Sequence, residues 1–271
     1  MAETRDHRRT IDRPVALVPT MGALHEGHIR LIEAGLRLTD QVWVSIFVNP
    51  TQFGPHEDFS RYPRPIEDDL AKCRAAGVTA VFNPRPEEMY PAGVLDTAVD
   101  VPGLTPEFEG AHRPGHFAGV GRVVLKLFHI CQPTFACFGQ KDYQQLRLIE
   151  SLVEDLNLPV AIQRVPTARE PDGLALSSRN RYLDEQQRRH ALGLSKALRL
   201  AEQLITRQGE SDPTVVERAM VQTLTAHHLQ PDYAAIRHPT TLQRVHLIDR
   251  PVVALVAAGL GEIRLLDNSI I

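Results

Sequence analysis

Hydrophobic positions along the chain form short apolar runs that alternate with longer stretches of helical period. The run at 42–48 is almost free of polar residues, which is typical of a strand buried on both faces of a sheet. We therefore predict βαβ units, with this strand parallel to the one before it. The predicted strands are 15–18, 42–48, 78–82, 134–138 and 160–165, and the predicted helices are 26–38, 66–76, 120–131 and 143–156.

After about residue 167 the pattern changes to two long amphipathic stretches followed by short apolar runs. It predicts helices at 185–208 and 214–228 and strands at 233–237, 252–257 and 262–266. The predicted fold class is α/β: a Rossmann-like, doubly wound parallel sheet in residues 1–167, with a second, smaller α+β domain in residues 168–271. The stretch 83–119 is rich in proline and glycine, so we predict long connections there.

The composition is that of an ordinary soluble globular protein, because 43% of the 271 residues are hydrophobic and 23% are charged. The 30 Lys and Arg residues against 33 Asp and Glu give a net charge of -3. This balance removes the general electrostatic reason for binding nucleic acid or a membrane surface, so we expect neither as a partner. Three cysteines, no apolar leader and no apolar run near the roughly 20 residues that span a bilayer favour the cytoplasm.

The densest chemical signal lies between the first predicted strand and the first predicted helix. This segment, 19–28, carries two glycines and the pair His25 and His28. Open α/β sheets bind ligands beyond the carboxyl ends of their strands, where a helix N-terminus favours phosphate. Imidazoles three residues apart on a first helical turn suit the stabilisation of charge on a phosphoryl group in transfer.

Two other interpretations of the histidines compete with this one. In the first, one histidine is a helix cap and the other a satisfied surface residue. The second, a zinc site, fails on spacing. A helical zinc motif requires histidines four apart, which His25 and His28 are not. His112 and His116 have that spacing, but Pro114 and Gly115 between them argue against a helix.

This segment resembles the His-x-Gly-His signature of the adenylyl-transfer superfamily and, within it, the pantothenate synthetase (pantoate-β-alanine ligase) family. The resemblance continues, in order, over about residue 14 to Asn268. The further matching segments are 45–53, 61–64, 101–104, 109–117, 137–146, 172–180 and 264–268. The ordered series is more specific than the histidine motif alone.

The resemblance implies a two-step reaction. Pantoate attacks ATP to give pantoyl adenylate and pyrophosphate, and β-alanine then displaces AMP to form pantothenate. His28 is the implied proton donor and His25 assists it. Lys141, Ser177 and Arg179 are the implied catalytic groups that act on the phosphates. The implied ATP-binding residues are Met21, Gly22, Ala23, Leu24, His25, Glu26, Gly27, His28, Gly139, Gln140, Lys141, Asp142, Ala168, Leu176, Ser177, Ser178 and Arg179.

The resemblance also supplies the substrate and metal positions. Gln52, Gln145, Asn49 and Arg113 are implied to bind pantoate and β-alanine, the alternative for the glutamines being bonds to loop backbone. Asp68 and Asp69 resemble acidic positions associated with Mg²⁺, although a helix N-terminus attracts carboxylates in any case. The family also implies a homodimer.

Two positions depart from the family pattern, and two other functions stay open. Gln140 stands where the family commonly has Glu, and Ala168 where it commonly has Val, so a role of the Glu carboxylate in ATP affinity is in question. The first competing function is a nucleotidyltransferase that stops at the adenylated product. The second is a nucleotide-binding regulatory module without catalysis.

Overall fold

The computed structural model describes residues 1–55, 57–92 and 97–271, which divide into two compact units. The first unit contains 1–139 and 144–165, and the second contains 140–143 and 166–271. The chain therefore enters the second unit briefly, between a strand and a helix of the first. The predicted functional division at residue 167 does not include this excursion. That division stays a prediction.

The first unit is built on a five-stranded, fully parallel sheet with the order β3-β2-β1-β4-β5. The predicted parallel pairing of the first two strands is confirmed, with Leu17 opposite Trp43. Strand order reverses on either side of the first strand, which makes the sheet doubly wound. The strands are β1 (Ala16–Thr20), β2 (Val42–Ile46), β3 (Ala80–Phe82), β4 (Phe135–Gly139) and β5 (Ala161–Val165).

Helices cover both faces of this sheet because side chains on a strand alternate between its faces. Leu17 belongs to one core cluster, with Val120 and Leu146, whereas its neighbour Val18 belongs to the other, with Ile32. The helices of this unit are α1 (Ala2–Arg9), α2 (Glu26–Leu36), α3 (Ile66–Ala75), α4 (Pro86–Met89), α5 (Glu109–His112), α6 (His116–Cys131) and α7 (Tyr143–Asp155).

Four helices depart from the sequence prediction. α1 was not predicted, because it buries no side chain and so has no apolar stripe. α4 and α5 lie within the predicted connection 83–119, of which 93–96 are outside the described residues. α6 begins at His116, four residues before its predicted start, because Gly119 and Gly121 weaken the helical pattern there.

The second unit packs two helices on a three-stranded antiparallel sheet of order β6-β7-β8. A capping box at Asp184 starts the first helix, and Gly209 ends it in the left-handed conformation. Asp212 caps the next helix and Pro213 begins it. The elements are α8 (Glu185–Gln208), α9 (Pro213–Ala226), β6 (Gln230–Arg237), β7 (Val253–Leu260) and β8 (Ile263–Ile270).

Both architectures agree with the predicted fold class, an α/β parallel sheet accompanied by a smaller α+β part. Over the residues that the structure describes, no helix is both long and apolar enough to cross a membrane.

Candidate active site

The turn that follows β1 is fixed by a helix distant in sequence. The backbone N–H groups of Ala23 and Leu24 donate to the two carboxylate oxygens of Asp69, each over 2.7 Å. From the next turn of α3, Lys72 Nζ donates to the Leu24 carbonyl over 2.7 Å. Gly22 has φ +85°, and a Cβ there would lie 2.9 Å from Asp69 Oδ2. Only glycine fits this position without displacing the carboxylate.

His25 and His28 stand at the start of α2, as predicted, and their rings cap the helix reciprocally. The His25 Nδ1 accepts from the Gly27 N–H over 3.1 Å, and the His28 Nδ1 accepts from the His25 N–H over 3.2 Å. The ring centroids are 4.1 Å apart. Because each Nδ1 is an acceptor, each neutral ring carries its proton on Nε2. The turn therefore holds two Nε2–H donors of fixed tautomer at a helix N-terminus.

The predicted substrate residues Asn49 and Gln52 share a 3-10 turn, Pro50–Gln52, that follows β2. The Asn49 amide nitrogen donates to Gln52 Oε1 over 3.0 Å, and the Gln52 amide nitrogen lies 3.1 Å from the Met21 sulfur. Asn49 and Gln52 are buried. These contacts place Gln52 against Met21. Met21 is the first residue of the segment 21–28, which carries His25 and His28 and is called the histidine-bearing turn below.

A charged network supports the backbone of Gln52. Arg113 makes two parallel hydrogen bonds to the Glu57 carboxylate, of 2.8 and 2.7 Å. Arg113 Nη1 also lies 3.0 Å from His116 Nε2, which must accept because arginine only donates. The other ring nitrogen, Nδ1, therefore donates to the Gln52 carbonyl over 2.9 Å. Burial, and then the positive charge of Arg113, lower the pKa of His116 to about 4, so this ring is neutral at pH 7.

The first turn of α6 also packs directly on the 3-10 turn. A Cβ on Gly119 would lie 2.2 Å from the Thr51 carbonyl oxygen, so only glycine allows this approach. The Asn49 amide donates to the Gly119 carbonyl over 3.2 Å, and its oxygen accepts from the Tyr90 hydroxyl over 2.9 Å. Asn49 thereby links three segments around Gln52.

The adjacent glutamines at the start of α7 have different environments. Gln144 is buried, and its amide nitrogen donates to the carbonyls of Leu104 and Glu107 over 2.6 and 2.9 Å. Its oxygen accepts from the Glu109 N–H over 3.0 Å. Gln144 thus fixes the loop before α5, whereas Gln145, the predicted pantoate residue, is half-buried.

The predicted Lys141 turn belongs to the second unit, directly after β4 ends at Gly139. The side-chain nitrogen of Asn268, on β8, donates to the carbonyls of Gln140 and Lys141 over 2.9 and 2.7 Å. The Lys141 ammonium lies 3.4 Å from the carboxylate of Asp142. The turn is therefore fixed through its backbone, and the lysine has a carboxylate beside it.

The other predicted phosphate-binding residues of this unit lie on and after a tight hairpin. The Leu176 N–H donates to the Ala168 carbonyl over 2.9 Å and closes it. Ser177 follows and caps a 3-10 turn, Ser178–Tyr182, through a 3.3 Å bond from the Arg179 N–H to its hydroxyl. Ser177, Ser178 and Arg179 are half-buried. The Ser177 hydroxyl caps this turn, so a role with phosphate would fall on a side chain that already has a structural bond.

The residues predicted for Mg²⁺ do not form a metal centre by themselves. Across the described ranges, no group of three or more His, Cys, Asp or Glu side chains is placed to hold a metal ion. Asp68 is exposed, and both oxygens of the buried Asp69 are occupied by backbone N–H groups. Asp69 therefore has a role in shaping the turn that the sequence prediction did not include.

Sequence reasoning missed the groups that hold the predicted site residues in place. These groups are Lys72, Tyr90, His116 and Asn268. Gln144, which fixes the loop before α5, was missed as well. His116, Gln144 and Asn268 stood inside segments already noted for their resemblance, but nothing in those segments indicates a bond to a distant backbone group. Asp69 and Arg113 were assigned to ligands, and the structure gives each of them protein partners.

A doubly wound parallel sheet with paired histidines at the helix start after its first strand is the arrangement expected of an α/β nucleotide-binding enzyme. Residues 1–270 match the sequence profile of the pantoate-beta-alanine ligase family. The pantothenate synthetase of Moorella thermoacetica is 53% identical over 258 residues, covering 95% of this chain and 90% of the relative. That of Rhizobium johnstonii is 50% identical over 272 residues, covering 100% and 89%.

Solved structures agree. The pantothenate synthetase of Thermus thermophilus has a TM-score of 0.92 at 45% identity, covering 98% of this chain and 96% of that one. The pantoate-beta-alanine ligase of Francisella tularensis, solved in complex with beta-gamma ATP and beta-alanine, has a TM-score of 0.81 at 32% identity, covering 99% and 95%. The chain belongs to the pantoate-β-alanine ligase family, which confirms the resemblance and identifies a ligase that joins pantoate to β-alanine with ATP.

Proposed function

We propose that this chain forms pantothenate through a pantoyl adenylate made at the turn that follows β1. The pantoate carboxylate attacks the α-phosphorus of ATP, and pyrophosphate leaves. The amine of β-alanine then attacks the acyl carbon, and AMP leaves with the bonding electrons of the acyl–oxygen bond. The observation that carries this proposal is the pair of Nε2–H donors that His25 and His28 hold at the start of α2.

The histidine-bearing turn serves ATP through its side chains more than through its backbone. His28 supplies a proton or hydrogen bond to the phosphate oxygens from Nε2, and His25 supports it. The amides of Ala23 and Leu24 are already bonded to Asp69, so these residues contact ATP through other atoms. The remaining ATP contacts from this turn are Met21, Gly22, Glu26 and Gly27.

Cationic groups neutralise the triphosphate as charge shifts toward pyrophosphate. Lys141 and Arg179 fill this role, and the hydroxyl of Ser177 adds a hydrogen bond to phosphate. The other proposed ATP contacts around them are Gly139, Gln140, Asp142, Ala168, Leu176 and Ser178.

Neutral amides bind pantoate in this proposal. Gln52 and Gln145 hydrogen-bond its hydroxyls and carboxylate without removing the negative charge that makes the carboxylate nucleophilic. Asn49 orients Gln52 through the 3.0 Å bond between their amides. Arg113, which is engaged with Glu57, serves the substrates through the network under Gln52.

Magnesium enters with ATP in this proposal, held by the phosphate oxygens. The side chains described above do not supply a fitting cage, because Asp69 is engaged with the turn, so no step is assigned to a protein-held ion. Replacing Asp68, the exposed neighbour, tests for a contact to this ion.

We further propose a cytoplasmic homodimer in which residues 1–167 form the nucleotide- and pantoate-binding domain and residues 168–271 form its lid. Light scattering tests the dimer.

One incubation tests the proposed reaction. The protein is mixed with ATP, Mg²⁺, pantoate and β-alanine, each is omitted in turn, and the products are identified by mass. We expect pantothenate and AMP only in the complete mixture, and pantoyl adenylate with pyrophosphate when β-alanine is omitted. Accumulation of an adenylated product that β-alanine does not consume would instead support the nucleotidyltransferase.

A further inference from the structure

One side chain fixes the backbone on both sides of Lys141. The Asn268 nitrogen donates to the carbonyl before the Lys141 α-carbon, that of Gln140, over 2.9 Å. It also donates to the carbonyl after it, that of Lys141 itself, over 2.7 Å. With both flanking peptide groups held, the direction in which the lysine side chain leaves the turn is set by Asn268.

Asn268 is itself held firmly. It is buried, with 3% of its surface exposed, and its N–H donates to Asp267 Oδ1 over 2.8 Å. Arg169 grips the Asp267 carboxylate with two hydrogen bonds, of 2.6 and 3.0 Å. Paired bonds of this kind restrict orientation as well as distance. The end of β8 therefore has little freedom to move relative to the turn.

The pairing of Arg169 with Asp267 also fixes the segment that leads to Ser177. Arg169 lies in the hairpin closed by the bond between Leu176 and Ala168, where it pairs with Ala175. Arg169 Nη1 also donates to the Gly173 carbonyl over 3.1 Å. One strand end thus anchors both segments of the second unit to which the proposed function assigns phosphate contacts.

We infer that Asn268 is a positioning residue for Lys141: its amide holds the Gln140–Lys141 backbone so that the ammonium meets the phosphates of ATP. The inference rests on the proposed function, since it takes Lys141 to act on those phosphates. Only the nitrogen of the amide is used, because Asn268 Oδ1 is buried with no hydrogen-bond partner in the part of the chain that the structure describes. Asn268→Asp would therefore place an acceptor against two carbonyls and lose both bonds.

The test is a double-mutant cycle of Asn268→Asp and Lys141→Ala, read as the kcat and KM of ATP-dependent pyrophosphate release with pantoate. A misplaced charge-stabilising group costs about 10- to 100-fold, so we expect Asn268→Asp to lower kcat by about that factor and to leave the KM for pantoate unchanged. In the Lys141→Ala background we expect a further change of less than about twofold, because coupled residues are not additive. Ser269→Ala, on the same strand, is the control and is expected to match the parent chain.

The outcomes separate the inference from the proposed function. Equal losses in both backgrounds, or parent activity of Asn268→Asp beside an impaired Lys141→Ala, would overturn the inference alone. Parent activity of Lys141→Ala would overturn the proposed role of the lysine and with it the inference. Thermal unfolding of every variant checks the fold. If Asn268→Asp fails to fold, Asn268→Ser, whose hydroxyl can serve one carbonyl, replaces it in the same cycle with a smaller expected loss.

Discussion

The two turns that carry the proposed phosphate contacts are anchored in opposite ways. In the turn after β1, a carboxylate from α3 accepts two backbone N–H groups, those of Ala23 and Leu24. In the turn after β4, an amide from β8 donates to two backbone carbonyls, those of Gln140 and Lys141. The first anchor occupies the backbone N–H groups that could otherwise bind phosphate. In the proposed function, the neutral histidine rings take over that role. The second consumes acceptors only and leaves a full positive charge to the lysine.

The strongest test of this contrast removes the positive charge of Lys141. We expect Lys141→Ala to lower the kcat of pyrophosphate release by about 1000-fold, because the loss of one preorganised stabilising group costs about 10²–10³. Lys196→Ala is the control, since Lys196 is exposed and bonded to His227. A loss no larger than that of the control would contradict the division of roles between the turns.

The next test removes a neutral donor and keeps the helix cap. His28→Asn retains an oxygen that can accept the His25 N–H, but it has no group at the Nε2 position. We expect the rate of pyrophosphate release to fall about 100-fold, with little change in the melting temperature. A variant that melts earlier but keeps its activity would show that His28 acts only as a cap.

A smaller effect is expected from weakening the first anchor. Asp69→Asn turns one acceptor into a donor facing a backbone N–H, which costs about 1–3 kcal/mol of folding stability. We expect about a 10-fold loss of kcat as the turn loosens. Asp68→Asn is the matched control: it is exposed, and a raised Mg²⁺ requirement in it alone would identify Asp68 as the contact for the ion. Equal behaviour of the two variants would contradict the anchor role of Asp69.

The smallest expected effect distinguishes His116 from the histidines of the turn. The fold lowers the pKa of His116 to about 4, from an ordinary value of 6.5. Below pH 6.5 the unfolded chain therefore binds the proton first, and stability falls until the pH reaches the folded value. Between pH 6.5 and 5.5 this linkage removes about 1 kcal/mol, measured by denaturant unfolding. His116→Gln should remove that part of the pH dependence and the exposed His112→Gln should not. If the free energy of unfolding depends on pH in the same way in both variants, His116 is not the source of this pH dependence.

The sequence predicted the helices and strands well where one face had to be buried. The bounds of α8 were predicted without error, and β2 differs by two residues at one end, because hydrophobic period reports burial directly. α1 was not predicted because it buries no side chain. The predicted start of α6 was too late because the first turn of this helix packs through Gly119. A glycine that permits close backbone contact and a glycine that weakens a helix look the same in a sequence.

The places of the candidate site residues in the fold could be predicted from the sequence, whereas the groups that hold them in position could not. His25 and His28 were placed correctly at a helix start because strand, turn and helix are adjacent in sequence. The bonds that shape the two turns join residues far apart: 46 positions separate Ala23 from Asp69, and 127 separate Lys141 from Asn268. Hydrophobic period and local motifs carry no signal for such pairs. The structure alone supplies them.

The brief passage of residues 140–143 into the second unit matters for dividing the protein experimentally. A cut after Val165 would leave Lys141 in one fragment and Asn268 in the other. Neither fragment alone would then contain both the lysine and the amide that orients it. The recovery of adenylate-forming activity on mixing the two pieces would therefore require this hydrogen-bonded turn to form again, which makes the position after Val165 a starting point for a split-enzyme sensor.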